Sequence, residues 1–273
     1  MRLALIGFGN IATTLLRLMV ETKLRLEHLA VLVLPEQVGE TRARIDTSFA
    51  NLASGFEVVT DAGALLGSRP GLVVECAGHG AVTAHVPPVL RAGTSVVLVS
   101  IGALADAVLE KDLRAAARDG NARLILPSGA IGGIDLLSAL GAAGGLTVRY
   151  RGIKPPRAWL GTPAETLLDL PALREPKTFF TGTAREAARD YPKNANVAAT
   201  LALAGAGFDA TEVELTADPA APGNIHEYSV ASPLARYSIR IENQPSAGNA
   251  KTSVTTVYSV LREIRNHIGP VAI

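Results

Sequence analysis

Short apolar runs separated by amphipathic stretches fill the chain from Met1 to Leu126. The runs at 3–6, 29–34, 56–60, 71–77, 94–100 and 123–126 are rich in Val, Leu and Ile and lack strict alternation, which predicts strands buried on both faces. Between them, Leu15, Leu16, Leu18 and Met19 mark the apolar face of a first helix, and Asp61 caps a brief one. Further helices are expected from His79 towards Ala92 and over 112–118. Strands alternating with helices predict a doubly wound parallel sheet.

The pattern changes at Pro127. Small residues in PSGAIGGIDLLSAL (127–140) lead into a helix, and LTVRYRGI (146–153) then alternates in polarity, as a half-exposed antiparallel strand does. Further strands are expected at 177–181, 211–216, 225–230 and 236–242, with helices at 184–189 and 197–203. Alternating strands with few helices predict an open mixed or antiparallel sheet covered on one face. The fold class is therefore α/β, with a dinucleotide-binding domain at 1–128 and a second α/β (α+β) domain at 129–249. An amphipathic helix within 250–273 can pack back onto the first domain.

Composition narrows the function. A formal charge of +1 on 273 residues gives no reason to expect nucleic acid or an anionic membrane as partner. No apolar run reaches transmembrane length, and Met1 lies so close to the first strand that no cleaved leader is expected. The single cysteine, Cys76, rules out an intrachain disulfide and a cysteine zinc cluster; it reads as a small buried strand residue. The expected location is the cytoplasm.

The first strand runs into Gly7, Gly9 and Ala12, spaced G-x-G-x-x-A, with Asn10 and Ile11 between them. Gly7 permits a sharp turn, Gly9 has no side chain to hold a pyrophosphate away, and Ala12 lets the helix pack closely. The helix N-terminus then faces the phosphates. An NAD-only site would end the second strand on an acidic residue. Here Leu34-Pro35 stand in that place, with Glu36, Arg42 and Arg44 beyond, so NAD or NADP is expected. A second glycine turn, ECAGHGAV, offers Ala77 and Gly78 to the cofactor and His79 to cofactor or substrate.

Three clusters in the second half offer chemistry. In PSGAIGG the backbone at Ala130 is small enough to approach a nicotinamide ring. In YPKNANVAAT, Asn194 or Asn196 caps the following helix, and Lys193, Asn194 and Asn196 carry donors suited to a carboxamide or carboxylate. In NIHEY, His226 opens a strand after a Pro-Gly turn with an imidazole suited to proton transfer near neutral pH. Period-two alternation turns Glu227 to the opposite face.

GFGNIA, ECAGHGAV, LPSGAIGGID, YPKNANVAAT and NIHEY, in this order, resemble the L-aspartate dehydrogenases over nearly the whole chain. The resemblance implies a Rossmann domain, followed by a domain that supplies the substrate site and homodimer contacts. It implies NAD(P)-dependent oxidative deamination of L-aspartate to oxaloacetate and ammonia through iminoaspartate, which can feed NAD synthesis. On the same basis His226 is the catalytic residue, and Ala130 and Asn196 are cofactor positions. No metal is called for. A substrate with two carboxylates calls for cationic donors: Lys193 leads, Arg240 and Lys251 follow as weaker candidates. Two alternatives stand beside this reading. One is a related reductase of an aspartate-derived metabolite, resembling homoserine dehydrogenase or dihydrodipicolinate reductase. The other is a non-catalytic dinucleotide sensor.

Overall fold

The computed structural model describes residues 1–246 and 249–273, leaving aside the side chains of Lys193 and of residues 245–252. The chain forms two compact units, residues 1–127 with 257–273, and residues 128–256.

The first unit is a six-stranded parallel sheet. Its strands are β1 (Arg2–Ile6), β2 (His28–Leu32), β3 (Phe56–Val59), β4 (Leu72–Glu75), β5 (Val96–Leu98) and β6 (Leu124–Ile125), in the order β3-β2-β1-β4-β5-β6. Because β2 and β4 flank β1, the chain winds away from β1 in both directions, and a crevice opens at its carboxyl end. The connecting helices are α1 (Asn10–Glu21), α2 (Val38–Ser48), α3 (Ala62–Gly67), α4 (His79–Arg91) and α5 (Ala107–Asp119). Asp61 and Asp106 cap α3 and α5 by accepting from first-turn N–H groups. Leu3, Leu15, Leu16 and Val31 share one core cluster with Val257, Val260, Leu261 and Ile264. Burying each such side chain contributes about 1.5–3 kcal/mol.

The second unit begins with α6 (Ile134–Gly141) and continues through β7 (Thr147–Lys154), α7 (Ala164–Leu167), β8 (Lys177–Thr183), α8 (Ala184–Asp190) and α9 (Asn196–Ala204). It is completed by β9 (Thr211–Ala217), β10 (Asn224–Ala231) and β11 (Arg236–Asn243). These strands lie in the order β11-β10-β7-β9-β8. The segment read as an antiparallel strand is antiparallel to β10 but parallel to β9, so the sheet is mixed. Alternation along β7 buries Val148, Tyr150, Gly152 and Lys154 and exposes Arg149 and Arg151. α9 packs on β7 and β9 over the buried face. The other face carries ion pairs between Arg149 and Glu212, and between Arg151 and Glu214. Helix α10 (Val254–Ile268) starts in this unit and supplies its later turns to the first. No helix of the described residues is long and apolar enough to cross a membrane.

Candidate active site

In the first unit, the turn after β1 is built as a cradle. Gly7 has φ +96°, and its N–H donates to the Leu32 carbonyl at 2.8 Å. A Cβ on Gly7 would stand 2.8 Å from the Cβ of Ala77, so the two loops touch only because that atom is missing. At Gly9 a Cβ would meet no protein atom within 4 Å, which leaves open space beside the N-terminus of α1. Gly9 is the N-cap of α1 and has no side chain to satisfy the first-turn N–H groups of Asn10, Ile11 and Ala12. Ala12 is fully buried, as close packing on the sheet requires. The adjoining groove, of about 440 Å³, is lined by Gly7, Phe8, Leu34, Thr41, Arg44 and Ala77 among others. Open space at a glycine turn, a helix start without a side-chain cap and a bordering cation together fit a dinucleotide.

Glu75, a buried acid that sequence reasoning passed over, holds the second loop. Its carboxylate accepts from the N–H groups of Ala77 and Gly78 at 2.8 Å, and from the N–H and hydroxyl of Ser100 at 3.0 Å. Burial pushes its pKa up, with these hydrogen bonds opposing the shift. An acid closing an otherwise apolar buried strand was the signal available. His79 is the first residue of α4, and partial burial lowers its pKa. It belongs to the dinucleotide unit, whereas His226, Lys193 and Asn194 belong to the other. Of the basic and acidic residues beyond β2, Glu40 and Arg44 border the groove, the Arg44 guanidinium 6.0 Å from the Phe8 ring centre. Glu36 stands exposed in the turn ahead of α2.

In the second unit, His226 is 3% exposed. On β10 it lies opposite Gly152 of β7, and its Nδ1 is 2.8 Å from the hydroxyl of Tyr150. A Cβ on Gly152 would fall 2.7 Å from that hydroxyl, so the glycine leaves the space through which Tyr150 reaches the ring. The His226 pKa is pushed down to about 3, first by burial and then by the charge of Lys154. The imidazole is therefore neutral across the physiological range.

Lys154 is itself buried, 4% exposed. Its Nζ donates to Asn194 Oδ1 at 2.6 Å and stands 5.3 Å from the centre of the Trp159 ring. Asn194 sits in a short turn, Pro192–Asn194, closed by its N–H donating to the Tyr191 carbonyl at 2.8 Å. Neither asparagine caps α9. The N-cap is Ala195 and no side chain bonds to that helix start, because the turn commits Asn194 to Lys154 and Asn196 is already helical. Asn194 Nδ2 and Asn224 Oδ1 are buried and find no partner among the described residues.

The Ala130 carbonyl accepts from Asn243 Nδ2 at 2.9 Å, which pins the small-residue segment to the end of β11. The Asn196 carbonyl accepts from the Thr200 hydroxyl at 2.9 Å. Glu227 lies on the far face and pairs with Arg240 and Arg151 there, so it does not touch His226. Arg240 is likewise an ion-paired residue of that face. The side chains of Lys193 and Lys251 lie outside the described residues. Tyr150 and Lys154 are the residues that the sequence reading missed in this unit. A lysine in phase with Val148 and Tyr150, on the apolar side of an alternating strand, was their signal.

Comparison with known proteins gives a concordant result. The family profile described as aspartate dehydrogenase, C-terminal, matches residues 135–267, and that described as homoserine dehydrogenase, NAD binding domain, matches residues 7–127. The chain is 46% identical over 264 residues to the L-aspartate dehydrogenase of Ruegeria pomeroyi, covering 97% of this chain and 91% of that one. It is 44% identical to the L-aspartate dehydrogenase of Pseudomonas aeruginosa, with 100% of both chains covered. Among solved structures, the aspartate dehydrogenase of Thermotoga maritima superposes with a TM-score of 0.75 at 30% identity, covering 100% of this chain and 99% of that one. Fold, glycine cradle and sequence identity agree over the whole length, and the chain belongs to the aspartate dehydrogenase family.

Proposed function

We propose that this protein catalyses the NAD(P)-dependent oxidative deamination of L-aspartate, with His226 as the proton-transfer group. The observation that carries the reading is the buried, neutral His226 held through Nδ1 by Tyr150, in a chain of this family. In balanced form, L-aspartate, NAD(P)+ and water give oxaloacetate, ammonium, NAD(P)H and one proton. A dinucleotide held at Gly7, Gly9 and the start of α1, with Ala77, Gly78, Ala130 and Asn196 as further candidate contacts, supplies the acceptor for the hydride of the substrate α-carbon.

The chain's own residues then manage water and protons. Loss of hydride leaves iminoaspartate, whose carbon is attacked by water. In the tautomer whose Nδ1–H donates to the Tyr150 oxygen, Nε2 of His226 keeps its lone pair and takes the proton from that water. The protonated ring returns the proton to the nitrogen, regenerating the neutral imidazole. As the carbon–nitrogen bond breaks, the hydroxyl proton passes to the departing ammonia, leaving the ketone and ammonium. Lys193, Asn194 and His79 are carried as substrate contacts. The homodimer and the cytoplasmic location implied by the family resemblance belong to the same proposal, and sedimentation of the purified chain tests the dimer.

The decisive assay follows reduced nicotinamide from a panel of L-amino acids at alkaline pH. Turnover of L-aspartate, and the reverse reaction with oxaloacetate and ammonia, are expected. Inactivity in both directions overturns the reading. His226→Ala is expected to abolish turnover and spare cofactor binding; lost cofactor binding would instead assign His226 to the nucleotide site.

A further inference from the structure

Lys154 is 4% exposed on a sheet face, a rare place for an ammonium group. Lys154 shares the buried face of β7 with Gly152, the residue opposite His226, and its charge is felt at that imidazole. Its Nζ lies against the Asn194 amide and the face of the Trp159 ring. An ammonium only donates, so the amide atom facing it is the oxygen, and the NH2 of Asn194 points elsewhere. That NH2 is buried and has no acceptor among the described residues. A cation and an adjacent amide donor match a carboxylate, which accepts only and has two oxygens to offer.

We propose that Lys154 and Asn194 form the receptor for one carboxylate of the substrate, beside the imidazole that handles the water. Resting on the L-aspartate reading above, this names the residues that recognise the anionic substrate. The Trp159 ring, fully buried and anchored by its Nε1 donating to the Thr216 carbonyl at 3.2 Å, forms an immobile wall behind the ammonium. The Tyr191–Asn194 turn fixes the amide.

The test uses the full chain with NAD(P) and two variants. Lys154→Met keeps the length and removes the charge; Asn194→Asp keeps the shape and sets a carboxylate against the ammonium. Each is expected to raise the KM for L-aspartate about 100-fold, the scale for losing one partner of a buried charged hydrogen bond. The effect on kcat should be smaller and the KM for NAD(P) unchanged. Binding of succinate, an inert dicarboxylate, measured by calorimetry should weaken in parallel. With L-asparagine as a slow substrate, a parallel loss assigns the receptor to the α-carboxylate and an unaffected kcat/KM assigns it to the β-carboxylate; either supports the proposal. If Lys154→Met does not fold, the isosteric Asn194→Asp decides. Variants that handle L-aspartate and succinate as the wild type does overturn the proposal. A wild type without aspartate turnover defeats the functional reading instead. Succinate binding then decides this one: bound by wild type and not by the variants supports it, while equal binding or none overturns it.

Discussion

The phenolic oxygen of Tyr150 sits 2.8 Å from Nδ1 of His226, joining residues 76 positions apart. One ring nitrogen is thereby engaged, which orients the imidazole and leaves the other for chemistry. Tyr150→Phe keeps the ring and removes that partner. Its expected effect is a fall in kcat of about tenfold or more, as for other residues that orient a reactive histidine, with the KM for NAD(P) unchanged. Steady-state kinetics with each substrate varied in turn provides the check.

The same burial makes stability depend on pH. In the unfolded chain His226 has its ordinary pKa of 6.5, and in the folded chain about 3. Between those values the unfolded state holds a proton that the folded state refuses, so the stability present above pH 6.5 is lost as the pH falls towards about 3. The loss is on the order of 5 kcal/mol. His226→Gln removes this contribution, so its urea-unfolding free energy should fall less than the wild type's between pH 7 and pH 4. Equal slopes in the two proteins would contradict the assignment.

Gly9 and Gly7 should separate ligand space from protein packing. A Cβ at Gly9 meets no protein atom. Gly9→Ala is therefore expected to leave the melting temperature unchanged while raising the KM for NAD(P) at least tenfold, because the methyl enters the space expected of the pyrophosphate. Gly7→Ala places a Cβ against Ala77 at a φ of +96° and should lower the melting temperature as well.

Glu75 gathers three backbone N–H groups and one hydroxyl, all of them able to donate to it. A glutamine there turns an NH2 towards at least one of these donors. Glu75→Gln is expected to cost about 1–3 kcal/mol of stability and to raise the KM for NAD(P) by loosening Ala77 and Gly78. Thermal melts and cofactor titrations measure the two effects.

Arg44, one turn of α2 after Glu40, borders the dinucleotide groove. Arg44→Ala should raise the KM for NADP about tenfold, the scale of one charge-assisted hydrogen bond, and leave that for NAD nearly unchanged. Equal changes for both cofactors would deny Arg44 a role in reading the 2′-phosphate.

What the amino-acid sequence determined by itself was local. The cradle at Gly7, Gly9 and Ala12 is a strand, a turn and a helix start in consecutive residues, so its conformation follows from glycine's freedom and from apolar periodicity. The positions of the strands and helices and the outward direction of Glu227 follow from the same periodicities, because a period of two or of 3.6 needs no distant partner. That the second sheet is mixed was decided by β7 pairing parallel with β9. The constellation around His226 was decided only by tertiary structure. Tyr150 reaches the ring because β7 pairs with β10 in the register that puts Gly152 opposite His226. Lys154 meets Asn194 across 40 positions, and Glu75 meets Ser100 across 25. The alternation reading ended its strand at Ile153, one residue short of Lys154. The phase this lysine shares with Val148 and Tyr150 was legible, and only the packed sheet sets it against Asn194.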